Sequence, residues 1–85
     1  MWKIVQNLSP AKGCKLHQSH DYLPEKDAQL IHKFRLLDDD NNAYCIGLSD
    51  TNDSDSAFDP LDDYGEGMFG CVKIEYLNDG RWAQL

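Results

Sequence analysis

Alternation of apolar and polar residues, the pattern typical of a half-buried β-strand, recurs along this chain. It covers residues 2–8, 30–37, 43–48 and 70–77, and a shorter segment at 81–85 carries Trp82. Clusters of turn-forming residues separate these segments, as they do in antiparallel hairpins. The pattern predicts a mainly β fold, with an α+β fold as the alternative: a single small, curled antiparallel sheet of four to five strands with one short helix.

Two turns are marked by their residue types. Residues 38–42 read Asp-Asp-Asp-Asn-Asn, and these side chains tolerate left-handed backbone. They predict a hairpin between segments 30–37 and 43–48. Asp79-Gly80 is the strongest short hairpin signature and predicts a tight turn before the terminal strand.

The remaining segments predict one short helix and two irregular stretches. Pro24, followed by acidic and helix-forming residues, is typical of a first helical turn. Residues 49–56 are almost entirely polar and predict an exposed loop, and residues 62–67 predict a second turn. The expected core consists of Trp2, Phe34, Tyr44, Ile46, Ile74 and Trp82.

Size and composition indicate one domain over residues 1–85. The chain is 41% hydrophobic, enough for a thin core in a chain of 85 residues. Its three cysteines are too few and too odd in number for a disulfide framework, which predicts free thiols. Neither a secretory signal nor an apolar run of the roughly 18 residues that a membrane span needs is visible. We therefore expect a cytoplasmic protein without membrane contact or cofactor.

Charge is distributed very unevenly along the chain. Residues 36–72 contain ten of the fifteen acidic residues and no lysine or arginine, within a chain of net charge −7. Such a segment repels nucleic acid and attracts basic protein surfaces. We expect the contact residues to be Asp38, Asp39, Asp40, Asp50, Asp53, Asp55, Asp59, Asp62, Asp63 and Tyr64.

These features predict an acidic, non-enzymatic protein-interaction module whose partner has a basic surface. One alternative is a mimic of nucleic acid that inhibits a bacterial defence or replication enzyme. Since a domain this small gains stability from association, a homodimer is a further expectation. No nucleophile motif accompanies the cysteines, which argues against a cysteine enzyme.

A small metal-binding protein is the second alternative. Cys14, His17 and His20 have ligand chemistry suited to zinc, but a structural site normally takes four ligands. The acidic loop 50–56 alternates oxygen ligands as a calcium loop does, yet it lacks the glycine and glutamate that such a loop requires.

A longer pattern also runs through the last two thirds of the chain. It comprises Phe34 to Asp40, Pro60 to Gly65, Gly70-Cys71, Tyr76, and Gly80 followed by Trp82. The pattern resembles that of a group of short uncharacterised bacterial and phage-borne proteins. The resemblance implies a bacterial or phage origin and a structured turn at 60–65, and it implies no activity.

Overall fold

The computed structural model describes residues 1–8 and 17–85 and contains one five-stranded sheet. The strands are β1 (Trp2–Asn7), β2 (His32–Leu37), β3 (Ala43–Ser49), β4 (Lys73–Asn78) and β5 (Arg81–Gln84). Their order across the sheet is β1-β3-β2-β4-β5, and every neighbouring pair is antiparallel. The sheet is not closed. The predicted mainly β fold with an antiparallel sheet is confirmed.

Both predicted hairpins are present, and their turns use the expected residues. Residues 38–42 join β2 to β3, with Asn41 in left-handed backbone at φ 65°. Asp79 and Gly80 join β4 to β5 with φ values of 52° and 78°. Two successive positive φ angles define a type I′ turn, whose twist matches that of the strands it connects.

The helical part of the fold is larger than the sequence predicts. A 3₁₀ helix at Pro24–Gln29 confirms the predicted short helix. A second, continuous helical segment covers residues 55–69, which we call the main helix. The predictions of a loop reaching residue 56 and a turn at 62–67 are wrong for these residues. Across the described part of the chain, no helix is both long and apolar enough to span a membrane.

The main helix changes its winding along its length. It begins as a 3₁₀ turn at Asp55–Phe58, widens into a π turn at Leu61–Gly65 and ends as an α turn at Glu66–Phe69. Gly70 then adopts left-handed backbone at φ 68° and donates its N–H to the Glu66 carbonyl, a common way to end a helix.

Packing against one face of the sheet explains why this helix forms. Its buried residues are spaced three, one, three, one and four positions apart, so they lie on one side of the helix. They are Ala57, Pro60, Leu61, Tyr64, Gly65 and Phe69. The aspartates and glycines of this segment have low helix propensity. Apolar burial therefore outweighs local preference, assisted by a buried 2.8 Å hydrogen bond from the Tyr76 hydroxyl to the Ala57 carbonyl.

The core is assigned correctly for half of the expected residues. Trp2, Phe34 and Ile74 are buried in the core cluster. Tyr44 packs only at the margin of that cluster, and Ile46 and Trp82 lie outside it and are partly exposed. The predictions for Tyr44 and Ile46 were wrong because β3 buries its other face, and the prediction for Trp82 was wrong because β5 is an edge strand of the sheet.

Small residues on that buried face of β3 give room to a large side chain of β2. Cys45, Gly47 and Ser49 are the buried positions of β3. Gly47 pairs in register with Phe34, and the Phe34 ring fills the space that a Cβ at residue 47 would occupy. An aromatic ring that covers a strand glycine in this way compensates for the missing side chain. The alternation on β3 therefore indicates a strand correctly but assigns its faces the wrong way round.

Gly47→Ala should destabilise the protein strongly. The added Cβ would lie 2.5 Å from the Lys3 carbonyl oxygen and 2.8 Å from Phe34 Cε1, and the carbonyl belongs to the paired strand β1. We expect a loss of about 1–3 kcal/mol in the free energy of unfolding, the usual cost of overpacking. Urea denaturation measures it.

Gly67→Ala is the matched control, because no neighbouring atom lies within 4 Å of a Cβ at that helical position. This variant should keep its stability or gain up to about 1 kcal/mol from helix propensity. Equal stabilities of the two variants would contradict the close approach at Gly47.

Candidate protein-interaction surface

The outer side of the main helix carries a row of carboxylates that we call the acidic ridge. It consists of Asp55, Asp59, Asp62, Asp63 and Glu66. All are exposed except Asp59, which is half-buried. Residues 55–69 contain no lysine or arginine. At about 1.5 Å of rise per residue, the ridge is about 17 Å long.

No described residue neutralises this ridge by an ion pair. The side-chain ion pairs among residues 1–8 and 17–85 join Lys3 to Asp27 at 2.5 Å and Arg35 to Glu75 at 2.6 Å. Partial burial, together with the charges of Asp63 and Asp62, raises the pKa of Asp59 above its ordinary value. The ridge therefore presents its negative charge to the solvent, at a cost in mutual repulsion.

The main helix also exposes two apolar side chains. Phe58 is 39% exposed and Met68 is 54% exposed. Interface centres combine such apolar and aromatic side chains with a charged rim. The helix therefore offers apolar contact area as well as charge.

Asp50 and Asp53 lie in the loop that leads into the main helix. Asp50 Oδ1 lies 3.2 Å from the amino group of Met1, and Asp53 Oδ1 accepts a hydrogen bond from the Thr51 hydroxyl. Four of the predicted contact aspartates thus share one helix, and these two lie in the loop before it.

The predicted contact residues of the β2–β3 turn lie elsewhere. The turn is at the opposite end of β3 from Asp50, and a strand of this length separates the two by about 20 Å. Asp39 and Asp40 are exposed there. The three carboxylates of 38–40 lie within 4.8 Å of one another, an arrangement that exposed acidic turns often show without a metal.

Asp38 has a structural role in that turn. Its carboxylate accepts hydrogen bonds at 2.9 Å from the backbone N–H groups of Asp40 and Asn42 and from the Tyr44 hydroxyl. The Asn42 N–H contributes most to holding the pKa of Asp38 below its ordinary value. Its acceptor sites are thus occupied within the protein, which leaves Asp39 and Asp40 as the available charges of the turn.

Tyr64 is the one predicted contact residue that the structure buries. It is 5% exposed and packs against Trp2 and Phe69 at ring distances of 6.0 and 5.7 Å. The prediction of Tyr64 as a surface contact is therefore wrong, because the helical spacing directs its side chain to the core while Asp62 and Asp63 point outward.

A cleft that the sequence does not predict lies beside the acidic ridge. Its volume is about 410 Å³, and it is lined by Trp2, His17, Gln18, Ser19, His20 and Asp63. The indole Nε1 of Trp2 is buried and has no hydrogen-bond partner among the described residues. Sequence patterns miss this cleft because β1, the segment 17–20 and the main helix each supply part of its wall.

The metal and thiol hypotheses gain no geometric support from the described residues. Cys14 of the predicted zinc set lies outside them, whereas His17 and His20 line the cleft. Cys45 and Cys71 are both buried. Burial raises the pKa of Cys71 to about 11, the reverse of what a nucleophilic cysteine requires.

Comparisons of the chain with protein-family models, with curated proteins and with solved structures gave no match. The resemblance to short bacterial and phage-borne proteins therefore stays a prediction. The acidic ridge and the cleft are the features of the described residues that bear on function.

Asp38→Asn should lower the stability of the protein in a pH-dependent way. Because folding lowers the pKa of Asp38 below 3.8, its charged form stabilises the native state above pH 3.8, and this contribution is lost as the pH falls through the folded pKa. We expect a lower urea midpoint for the variant at pH 7 and a difference that disappears in acid. A constant difference at all pH values would contradict this role.

Asp59→Asn should have the opposite effect. Folding raises the pKa of Asp59 above 3.8, so its charged form opposes folding once the pH exceeds the folded pKa. The variant should have a slightly higher urea midpoint than the parent at pH 7, with no gain below pH 3.8. A lower midpoint at pH 7 would show that the ridge is neutralised in solution.

Proposed function

We propose that this protein is an acidic protein-interaction module that binds the basic surface of another protein through the acidic ridge. One observation carries the proposal: five carboxylates share one side of the main helix, and none is paired with a described residue. A binding partner that supplies lysine or arginine would neutralise this charge.

The exposed apolar residues of the main helix favour a protein as the partner. Phe58 and Met68 can insert between the charged contacts, where buried aromatic and apolar anchors contribute most of the binding energy. The carboxylates would act mainly on the rate of association and on specificity. The free thiol of Cys71 fits a reducing compartment, so we propose a cytoplasmic location.

The spacing of the charges favours one alternative, a mimic of nucleic acid. Five carboxylates over about 17 Å correspond to about one charge every 3–4 Å, close to the 3.4 Å spacing along one strand of DNA. In this alternative the partner is a bacterial defence or replication enzyme. Displacement of DNA or RNA from the captured partner would distinguish the mimic from a plain interaction module.

A pair of double variants separates contact at the ridge from overall charge. Asp62→Asn with Glu66→Gln removes two charges from the ridge, and Asp39→Asn with Asp40→Asn removes two from the distant turn. The tagged protein captures its partner from a bacterial lysate at low salt, and association rates are then measured with the purified partner. We expect the ridge pair to lower the association rate at least about fivefold and the turn pair to lower it much less.

Salt provides an independent check on the same measurement. Since exposed charges are screened over about 8 Å at physiological ionic strength, the parent should lose affinity as salt rises and the ridge pair should lose less. Equal effects of the two double variants would exclude the ridge as the contact surface. A partner retained equally at low and high salt would exclude the charge-based mechanism.

A further inference from the structure

Trp2 lines the cleft beside the acidic ridge, and its side chain carries a hydrogen-bond donor without a partner among the described residues. The residue is only 3% exposed, and its buried Nε1–H has no partner among the described residues. A buried donor without a partner destabilises the native state. Such groups are rare in native proteins and often mark functional sites.

Aromatic rings form one wall of the same cleft. His17 is exposed and stacks on Tyr64, with ring centroids 5.0 Å apart and planes inclined by 11°. Trp2 lies 5.8 Å from His17 and 6.0 Å from Tyr64. Ring faces carry partial negative charge and attract cations, most strongly in indole.

Carboxylates make the surroundings of the cleft strongly negative. Asp63 lines the cleft and belongs to the acidic ridge. The charges of Asp63, Asp62 and Asp21 act on Asp59, as does the opposite charge of the Met1 amino group, so four carboxylates and one amine share this neighbourhood. A cation is therefore the ligand that both the rings and the charges favour.

On its sheet the protein already has a cation that lies over an aromatic ring and pairs with a carboxylate. The guanidinium carbon of Arg35 lies 4.5 Å from the centre of the Trp82 ring. Its Nε and Nη2 atoms lie 2.7 and 2.6 Å from Glu75 Oε1. Arginine suits such a site because its planar guanidinium stacks on a ring and pairs with a carboxylate at once, whereas lysine carries a point charge.

We propose that the cleft formed by Trp2, His17 and Asp63 binds one arginine side chain of the partner. The inference rests on the proposed function, because it names the residue that anchors the partner beside the acidic ridge. The guanidinium pairs with Asp63 and lies against the aromatic wall.

The direct test uses three blocked pentapeptides that differ only in their central residue, arginine, lysine or citrulline, between glycines. The protein has two tryptophans, so the indole N–H signals in a nitrogen-15 NMR spectrum report separately on Trp2 and on Trp82. We expect the arginine peptide to shift the Trp2 signal and leave Trp82 unchanged. Citrulline has nearly the same shape without the charge and should bind at least about fivefold more weakly. The affinity of the lysine peptide should lie between those of the arginine and citrulline peptides.

Asp63→Asn tests the carboxylate, and Asp62→Asn is its matched control. Both remove one charge from the ridge, but only Asp63 lines the cleft. We expect Asp63→Asn to weaken the arginine peptide at least about fivefold and Asp62→Asn to weaken it less than about twofold. Equal losses, or a shift of Trp82 in place of Trp2, would overturn the inference.

The outcomes also separate this inference from the proposed function. If the natural partner depends on Asp62 and Glu66 while the arginine peptide leaves Trp2 unshifted, the ridge is the contact surface and the cleft is not an arginine site. If the ridge variants bind the partner as the parent does while the peptide shifts Trp2, the cleft binds arginine and the ridge proposal fails.

Discussion

Burial of one side of the main helix against the sheet is the interaction on which the rest of the structure depends. Residues 55–69 have little intrinsic tendency to form a helix, since aspartate, serine, glycine and proline make up most of them. Ala57, Leu61, Tyr64 and Phe69 nevertheless lie on one side. They join the core cluster that also contains Trp2, Phe34 and Ile74. The acidic ridge exists only because this packing holds the opposite side of the same helix in solvent. Loss of the packing would disperse the carboxylates along an extended chain.

Concentration of charge on one helix opposes folding and favours binding for the same physical reason. Like charges repel in the free protein, and after burial the charge of Asp63 is the next cause that raises the pKa of Asp59. A basic partner replaces that repulsion by attraction. The turn at 38–42 behaves differently, because Asp38 is satisfied by its own hydrogen bonds. Acidic residues that are indistinguishable in the sequence thus divide into a structural one and a set available for contact.

Local sequence signals predicted the hairpins well, whereas long-range packing decided which face of strand β3 is buried. Asp79-Gly80 specifies its turn through backbone conformation alone, which neighbouring residues suffice to determine. Ile46 alternates as a core residue would, yet β3 buries Cys45 and Gly47 because the Phe34 ring needs the space above Gly47. The helix also had a signal, the spacing of Ala57, Leu61 and Tyr64. This spacing was not recognised as helical because the polar residues between these positions favour turns and loops.

The sequence by itself determined the sheet, its hairpin turns and the uneven charge, because alternation, turn chemistry and composition are properties of neighbouring residues. Only the tertiary structure decided which acidic residues lie together. It brought Asp55, Asp59 and Asp63 onto one helix, buried Tyr64 and left the turn at the far end of β3. It also built the cleft, where Trp2, His17 and Asp63 meet although they are distant in the chain. The proximity of residues that are distant in the chain depends on how the helix packs on the sheet, and no local sequence pattern encodes that packing.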